Sequence, residues 1–118
     1  MLVFNLKKEW FNKIKSGEKM HEYRLFNDYW CGRLLYRKLP CLCVFACGYP
    51  AKSDKTRRLS AIIKNVTVIN NGIYTDLKTN KPVLDIEFEL IKEVDIGKIV
   101  GNTVHIQKIG DITVKDGK

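Results

Sequence analysis

An uninterrupted apolar run over residues 41–47 most constrains what this chain can fold into. The run reads Cys-Leu-Cys-Val-Phe-Ala-Cys and follows Pro40, a residue that does not continue regular structure easily. Such a run is typical of a strand buried on both faces. With 118 residues, of which 45% are apolar, the chain is long enough to bury this strand in one compact domain over residues 1–118.

Other segments show the patterns of strands that expose one face. Residues 83–90 alternate between apolar and acidic side chains. The inward positions of this segment are Leu84, Ile86, Phe88 and Leu90. Strands are also predicted over residues 2–6, 19–26, 59–69, 103–108 and 112–115. Asn70-Asn71-Gly72 predicts a turn.

Helices are predicted only in the N-terminal half. Residues 8–16 place the apolar side chains of one stripe at helical spacing, and Gly17 can provide a left-handed C-terminal cap. That stripe consists of Leu6, Trp10, Phe11 and Ile14. Asn27 or Asp28 can cap a second, short helix that ends near Leu35. One or two helices and about six strands indicate an α+β fold, a small mixed β-barrel.

The positive charge is concentrated in the first half of the chain. The net charge is +8; residues 1–59 contain 13 Lys and Arg against 5 Asp and Glu, whereas residues 60–118 contain 8 of each. All five arginines also lie in the first half. Because arginine suits bidentate recognition of phosphate and base edges, this bias favours nucleic acid or a phosphorylated small molecule as the partner. The alternative is an ordinary solvated basic surface.

The sequence favours a cytoplasmic protein without cofactors. No apolar run approaches the ~20 residues of a membrane span, and the N-terminus lacks the order of a secretory signal. The four cysteines lie between residues 31 and 47, a crowding typical of reduced thiols rather than of a disulfide framework. A Cys-x-Cys pair inside an apolar strand does not match zinc spacing, so we predict no metal. No glycine-rich phosphate loop is present.

The segment from Gly17 to Arg24 contains the first candidate site. In a strand, Glu22 and Arg24 project from the same face, and Lys19 stands at the strand's beginning. A carboxylate flanked by two cations stays ionised, and the lysine can act as a proton carrier or an anion clamp. The alternative is a surface ion pair that contributes at most about 1 kcal/mol.

The loop over residues 48–58 is the second candidate. Its cations can neutralise phosphates, and Tyr49 offers a ring on which a base can stack. Those cations are Lys52, Lys55, Arg57 and Arg58. A solvated charged loop is the alternative. Tyr29, Trp30 and Arg33 form a further aromatic and arginine patch, although core packing explains Trp30 equally well.

Gly17, Lys19, Glu22 and Arg24 together resemble the G-x-K-x-x-E-x-R signature of the ASCH family, whose fold is related to the PUA domain. The resemblance extends to flanking segments and covers about residues 1–90. These segments are residues 5–11, 25–30, 33–34 and 48–50. Residues 91–118 match no motif and are expected to form a C-terminal β extension.

The resemblance implies a β-barrel with a cleft lined by the signature residues and a role in recognising RNA or a nucleotide. One branch of the family is an amidohydrolase that acts on N4-acetylcytidine with a lysine, a threonine and a glutamate. Lys19 matches that lysine, whereas the threonine position is occupied by Glu22.

The leading hypothesis is therefore a monomeric binding module for RNA or a nucleotide. Lys19 would clamp an anion, Glu22 would accept a hydrogen bond from an exocyclic amine, and Arg24 would hold Glu22 or contact phosphate. Tyr49 and the basic loop would follow the phosphates. A hydrolase of modified nucleosides, or a ribonuclease, that uses Lys19 and Glu22 is the alternative. A protein-binding adaptor is the third hypothesis.

Overall fold

The structure is a computed structural model, and it describes residues 2–91, 107–109 and 112–114. Its strands are β1 (Leu2–Leu6), β2 (His21–Leu25), β3 (Cys41–Cys47), β4 (Arg58–Ile69), β5 (Val83–Leu90), β6 (Gln107–Ile109) and β7 (Ile112–Val114). Its helices are α1 (Lys8–Lys15), α2 (Asp28–Leu34) and a single 3₁₀ turn, Lys55–Arg57. The two predicted helices and the strands of the first 90 residues are confirmed, with ends that shift by one or two residues.

Five strands form one sheet in the order β1-β3-β4-β5-β2. β1 runs parallel to β3, and the other neighbours are antiparallel. The sheet curls into a half-barrel, which agrees with the predicted small mixed barrel in its α+β class and its curvature, although the barrel is not closed. Among the described residues, β6 and β7 pair with each other, and neither belongs to the five-stranded sheet. The predicted strand positions 103–106 and 115 lie outside the described residues.

The central strand β3 is less enclosed than its apolar sequence predicts. Cys43 and Phe45 face the core and are buried. On the opposite face Ala46 is buried, but Leu42 is 53% exposed. The prediction of burial on both faces therefore holds only towards the C-terminal end of the strand.

The core joins the concave side of the sheet to both helices. Alternating side chains of β1 and β5 point into it, as the sequence pattern predicted for β5. Phe11 and Ile14 of α1 and Leu34 of α2 belong to the same hydrophobic cluster. The sheet contributes Leu2, Phe4, Leu6, Cys43, Phe45, Ala61, Ile63, Leu84, Ile86 and Phe88. Each large side chain buried in this way contributes about 1.5–3 kcal/mol.

The end of α1 determines where β2 begins. Gly17 has a φ of +85°, the left-handed conformation that the sequence predicted. Its N–H donates to the carbonyl of Ile14, and the N–H of Lys19 donates to the carbonyl of Lys13, each at 3.0 Å. The chain therefore reverses tightly and places Lys19 just before β2.

A compact loop over residues 70–82 connects β4 to β5. Gly72 forms a bridge with Thr79 in this loop, and the Thr75 hydroxyl donates to the Gly72 carbonyl at 2.7 Å. A Cβ atom on Gly72 would lie 2.6 Å from Cγ1 of Val83, which is fully buried. The loop therefore packs closely on β5 and has a defined shape.

Asn27 is the residue that caps α2, of the two that the sequence allowed. Its side-chain oxygen accepts from the backbone N–H of Trp30 at 3.0 Å.

Within the described part of the chain, no helix has the length and apolarity needed to cross a membrane.

Two glycine substitutions test this packing. Gly32 lies inside α2 with no atom within 4 Å of an added Cβ, so Gly32→Ala should stabilise the fold by about 0.5–1 kcal/mol. Gly72→Ala should destabilise it by about 1–3 kcal/mol, because the added Cβ collides with Val83. Urea unfolding of both variants measures the difference. Equal effects would contradict the close approach of the loop to β5.

Candidate functional site

An open cleft of about 350 Å³ lies where the half-barrel remains unclosed. Its walls include parts of the two edge strands, β1 and β2, together with the start of α1, the start of α2 and the loop over residues 70–82. The lining residues of the β1 and α1 side are Asn5, Leu6, Lys7 and Trp10. The remaining lining residues are Glu22, Tyr23, Arg24, Leu25, Asn27, Trp30, Asp76 and Leu77. Among the described residues, β1 and β2 are the two edge strands of the sheet, and the cleft lies between them.

Glu22 is the buried carboxylate of this cleft. The residue is only 6% exposed. Its Oε2 accepts from Nε of Arg24 at 2.9 Å and lies 2.8 Å from Nη2 of the same guanidinium. Its Oε1 lies 3.4 Å from Nζ of Lys19. The three residues that the sequence placed together do converge, and the pairing is not the exposed surface ion pair of the alternative interpretation.

Arg24 spans the open seam of the half-barrel. It lies on β2, yet its Nη2 donates to the backbone carbonyl of Asn5 on β1 at 3.2 Å. Its Cζ lies 5.2 Å from the ring centroid of Phe4 and 4.9 Å from that of Trp30, within the range of cation–π attraction. Trp30 and Phe4 stack with centroids 5.2 Å apart. One guanidinium thus connects the two sheet edges and orders an aromatic wall.

Lys19 lies behind the wall of the cleft rather than among its lining residues. Its side chain is 9% exposed and forms ion pairs with both Glu22 and Asp76. Its Nζ lies 5.4 Å from the ring centroid of Trp10 and 5.1 Å from that of Tyr23. In this position Lys19 orders the carboxylates and rings around it, while Glu22 and Arg24 face the opening.

Trp10 and Asp76 are among the cleft residues that the sequence did not identify as site residues. Trp10 was assigned to the apolar stripe of α1, but it is only half-buried and borders the cleft. Asp76 belongs to the loop after the predicted turn, and no local pattern distinguishes it from an ordinary loop carboxylate. Only the fold brings it to Lys19, 57 residues away in the chain.

Tyr23 provides a phenol at the edge of the cleft. Burial raises its pKa above the ordinary value of 10.0, and the negative charges of Asp85, Asp76 and Glu22 raise it further. The phenol therefore remains neutral at physiological pH and can donate a hydrogen bond.

The basic loop over residues 48–58 lies outside the lining of the cleft. It begins beside the cleft, because the N–H of Gly48 donates to the carbonyl of Leu6 at 2.9 Å. Tyr49 is 88% exposed, and Lys52 and Lys55 are exposed as well. These side chains remain accessible to a ligand that extends beyond the cleft.

The two arginines of the loop also have structural partners. Arg57 Nη2 donates to the carbonyl of Cys47 at 3.3 Å. Arg58 donates through Nε to the carbonyl of Ala51 at 3.2 Å and through Nη2 to that of Pro50 at 3.0 Å. Part of the hydrogen-bonding capacity of both side chains is therefore used to shape the loop.

The cysteines form no site of their own in the structure. All four thiols are unpaired, and Cys43 is 1% exposed. Burial raises the pKa of Cys43 to about 12, so its thiol is protonated and unreactive at neutral pH. Among the described residues, no cluster of three or more His, Cys, Asp or Glu side chains has the geometry to bind a metal ion. His105 lies outside the described residues.

Comparison with known proteins indicates the fold and nothing further. No family model matches the chain, and no curated protein matches it. Among solved structures, the crystal structure of hypothetical protein PH0355 is similar, with a TM-score of 0.51 and 20% identity. The similarity covers 76% of this chain and 98% of that one. This is similarity of fold alone.

A double-mutant cycle tests the buried network. Lys19→Met and Asp76→Asn, alone and combined, should show a coupling of roughly 1–2 kcal/mol in the free energy of unfolding, because the lysine is shielded from water. The control cycle is Lys64→Met with Glu87→Gln, an exposed pair 3.9 Å apart, for which we expect less than about 0.5 kcal/mol. Equal couplings would show that Lys19 is solvated.

Proposed function

We propose that the cleft recognises a nucleobase that carries an exocyclic amine, as part of RNA or of a nucleotide. The observation that carries the proposal is a nearly buried carboxylate, held by two cations, in a cleft with aromatic walls. A carboxylate in this position accepts hydrogen bonds, and the surrounding rings favour a planar ligand.

The hydrogen-bonding capacity of Glu22 supports this proposal. A carboxylate has about four acceptor positions, and three donor groups of Lys19 and Arg24 face it. One position remains for an amine of the ligand. Cytosine, adenine and guanine each have such an amine, whereas uracil has none.

The aromatic residues at the cleft support a flat ligand. Trp10, Tyr23 and Trp30 all belong to its lining. Stacking of a base on such a ring contributes about 1–3 kcal/mol. A volume of about 350 Å³ lies within the usual range for small-molecule sites.

The charges around the cleft suit the phosphate of a nucleotide. Two cations of the lining, Lys7 and Arg24, lie beside two carboxylates, Glu22 and Asp76. Lys7 is exposed in the lining, and the basic loop begins beside Leu6. A phosphate at this side of the cleft would therefore be close to Lys7 and to the cations of the basic loop. The resemblance of Gly17–Arg24 to the ASCH signature supports the same class of ligand.

Tryptophan fluorescence provides a direct test, because both tryptophans of the chain line the cleft. With excitation at 295 nm, about the red edge of tryptophan absorption, CMP should quench the emission at lower concentration than UMP. Glu22→Gln should weaken CMP binding by about tenfold, equivalent to about 1.4 kcal/mol, with less effect on UMP.

Glu18→Gln is the matched control for this measurement. Glu18 is exposed and close to Glu22 in the chain, but it does not line the cleft. Circular dichroism checks that each variant is folded. Equal binding of CMP and UMP, or full binding by Glu22→Gln, would exclude the proposed amine contact.

A small hydrolase remains the second candidate, because Nζ of Lys19 lies 3.4 Å from Oε1 of Glu22. Glu22 faces the opening and can exchange protons with a bound substrate, and Lys19 holds Glu22 in place. If the cleft is catalytic, incubation with N4-acetylcytidine should release acetate, or labelled RNA should be cleaved, and Lys19→Ala should abolish that turnover. Turnover that survives this substitution would eliminate the mechanism.

A further inference from the structure

Helix α2 and the turn that follows it present a second aromatic and basic surface, which does not line the cleft. We define the α2 surface as Tyr29, Arg33, Tyr36 and Arg37. All four residues are exposed, and Tyr29 and Tyr36 are 55% and 87% exposed. Because their rings are exposed, Tyr29 and Tyr36 contribute little to the hydrophobic core, and packing does not explain their position.

The arginines of the α2 surface are ordered by the helix itself. Cζ of Arg33 lies 3.5 Å from the ring centroid of Tyr29, so its guanidinium stacks on that ring. Nη1 of Arg33 donates to the carbonyl of Tyr29 at 3.0 Å, and Nε of Arg37 donates to the carbonyl of Arg33 at 3.0 Å. Both guanidinium groups are therefore held in place and keep donors for a ligand.

No carboxylate within residues 2–91 lies at ion-pair distance from Arg33 or Arg37. The contrast is with Arg24, whose charge is matched by Glu22. A stacked guanidinium with an unmatched charge is suited to a phosphate or to the face of a base.

The α2 surface is continuous with the cleft. The rings of Tyr29 and Trp30 meet edge to face, with centroids 4.9 Å apart and planes at 82°. Trp30 in turn lines the cleft and lies over Arg24. Arg24, Trp30, Tyr29 and Arg33 thus form a continuous series, two rings between two cations, that leads from the cleft to solvent.

We propose that the α2 surface holds the nucleotide next to the one in the cleft, so that the ligand is a single-stranded polynucleotide rather than a free nucleotide. This inference rests on the proposed function of the cleft. The phosphate between the two nucleotides contacts Arg33, and the second base stacks on the ring of Tyr36, which is 87% exposed. Stacking of this kind tolerates any base, so sequence preference resides in the cleft.

Binding of a ligand series tests this inference. CMP, the dinucleotide CpC and a fluorescein-labelled pentacytidylate are titrated at low salt, with tryptophan fluorescence and anisotropy as readouts. We expect the pentamer to bind at least ~10-fold more tightly than CMP, with most of the gain already present in CpC.

Arg33→Gln and Tyr36→Ala should each remove most of this gain while CMP binds as before. Arg33→Gln should also reduce the slope of log affinity against log salt by about one for the pentamer. Lys15→Gln and Tyr74→Ala are the matched controls, because both residues are exposed and lie outside the cleft and the α2 surface. Neither control should alter the gain.

The outcomes separate this inference from the proposed function. If CMP binds but CpC and the pentamer bind no more tightly, the role of the α2 surface is wrong and the cleft proposal stands. The same conclusion follows if the gain persists in Arg33→Gln and Tyr36→Ala. If neither CMP nor the oligonucleotides bind, both proposals are overturned.

Discussion

The hydrogen bond from Arg24 to the carbonyl of Asn5 is the contact on which the site depends, because it joins the two edges of an unclosed sheet. Five strands curl far enough to bring β1 and β2 close without pairing them through their backbones. A side chain spans the remaining gap. The same guanidinium lies against the ring of Trp30 and donates a hydrogen bond to Glu22. Arg24 therefore positions both the aromatic side and the carboxylate of the cleft. A lysine in its place would lack the planar fork that makes these contacts together.

Burial strengthens the interactions between the charged groups around Arg24. On an exposed strand, a lysine, a glutamate and an arginine would contribute little to stability and would attract no particular ligand. Here Lys19 and Glu22 are almost enclosed, and Asp76 supplies a second carboxylate to the lysine. Removing water strengthens each pairing and leaves Glu22 oriented towards the opening. The cleft is therefore organised before any ligand arrives, which lowers the ordering cost of binding.

Local sequence patterns predicted the helices and strands well, but they did not predict whether the barrel closes. Alternation over residues 83–90 and the left-handed position of Gly17 depend only on neighbouring residues, and both are confirmed. The small mixed barrel is confirmed only as a curled half-barrel, since pairing between distant strands decides closure and no local pattern encodes it. Likewise, an apolar run cannot reveal that Leu42 is 53% exposed among the described residues, since burial of a strand face depends on segments far away in the chain.

For the site, the sequence by itself determined that Glu22 and Arg24 share a face, because residues two apart in a strand project to the same side. It also determined that Lys19 follows a tight reversal at Gly17. The tertiary structure alone decided that these residues border a cleft, that Asp76 and Trp10 join them, and that the basic loop stands outside. Such contacts connect residues far apart in the chain, and their positions depend on the curl of the whole sheet.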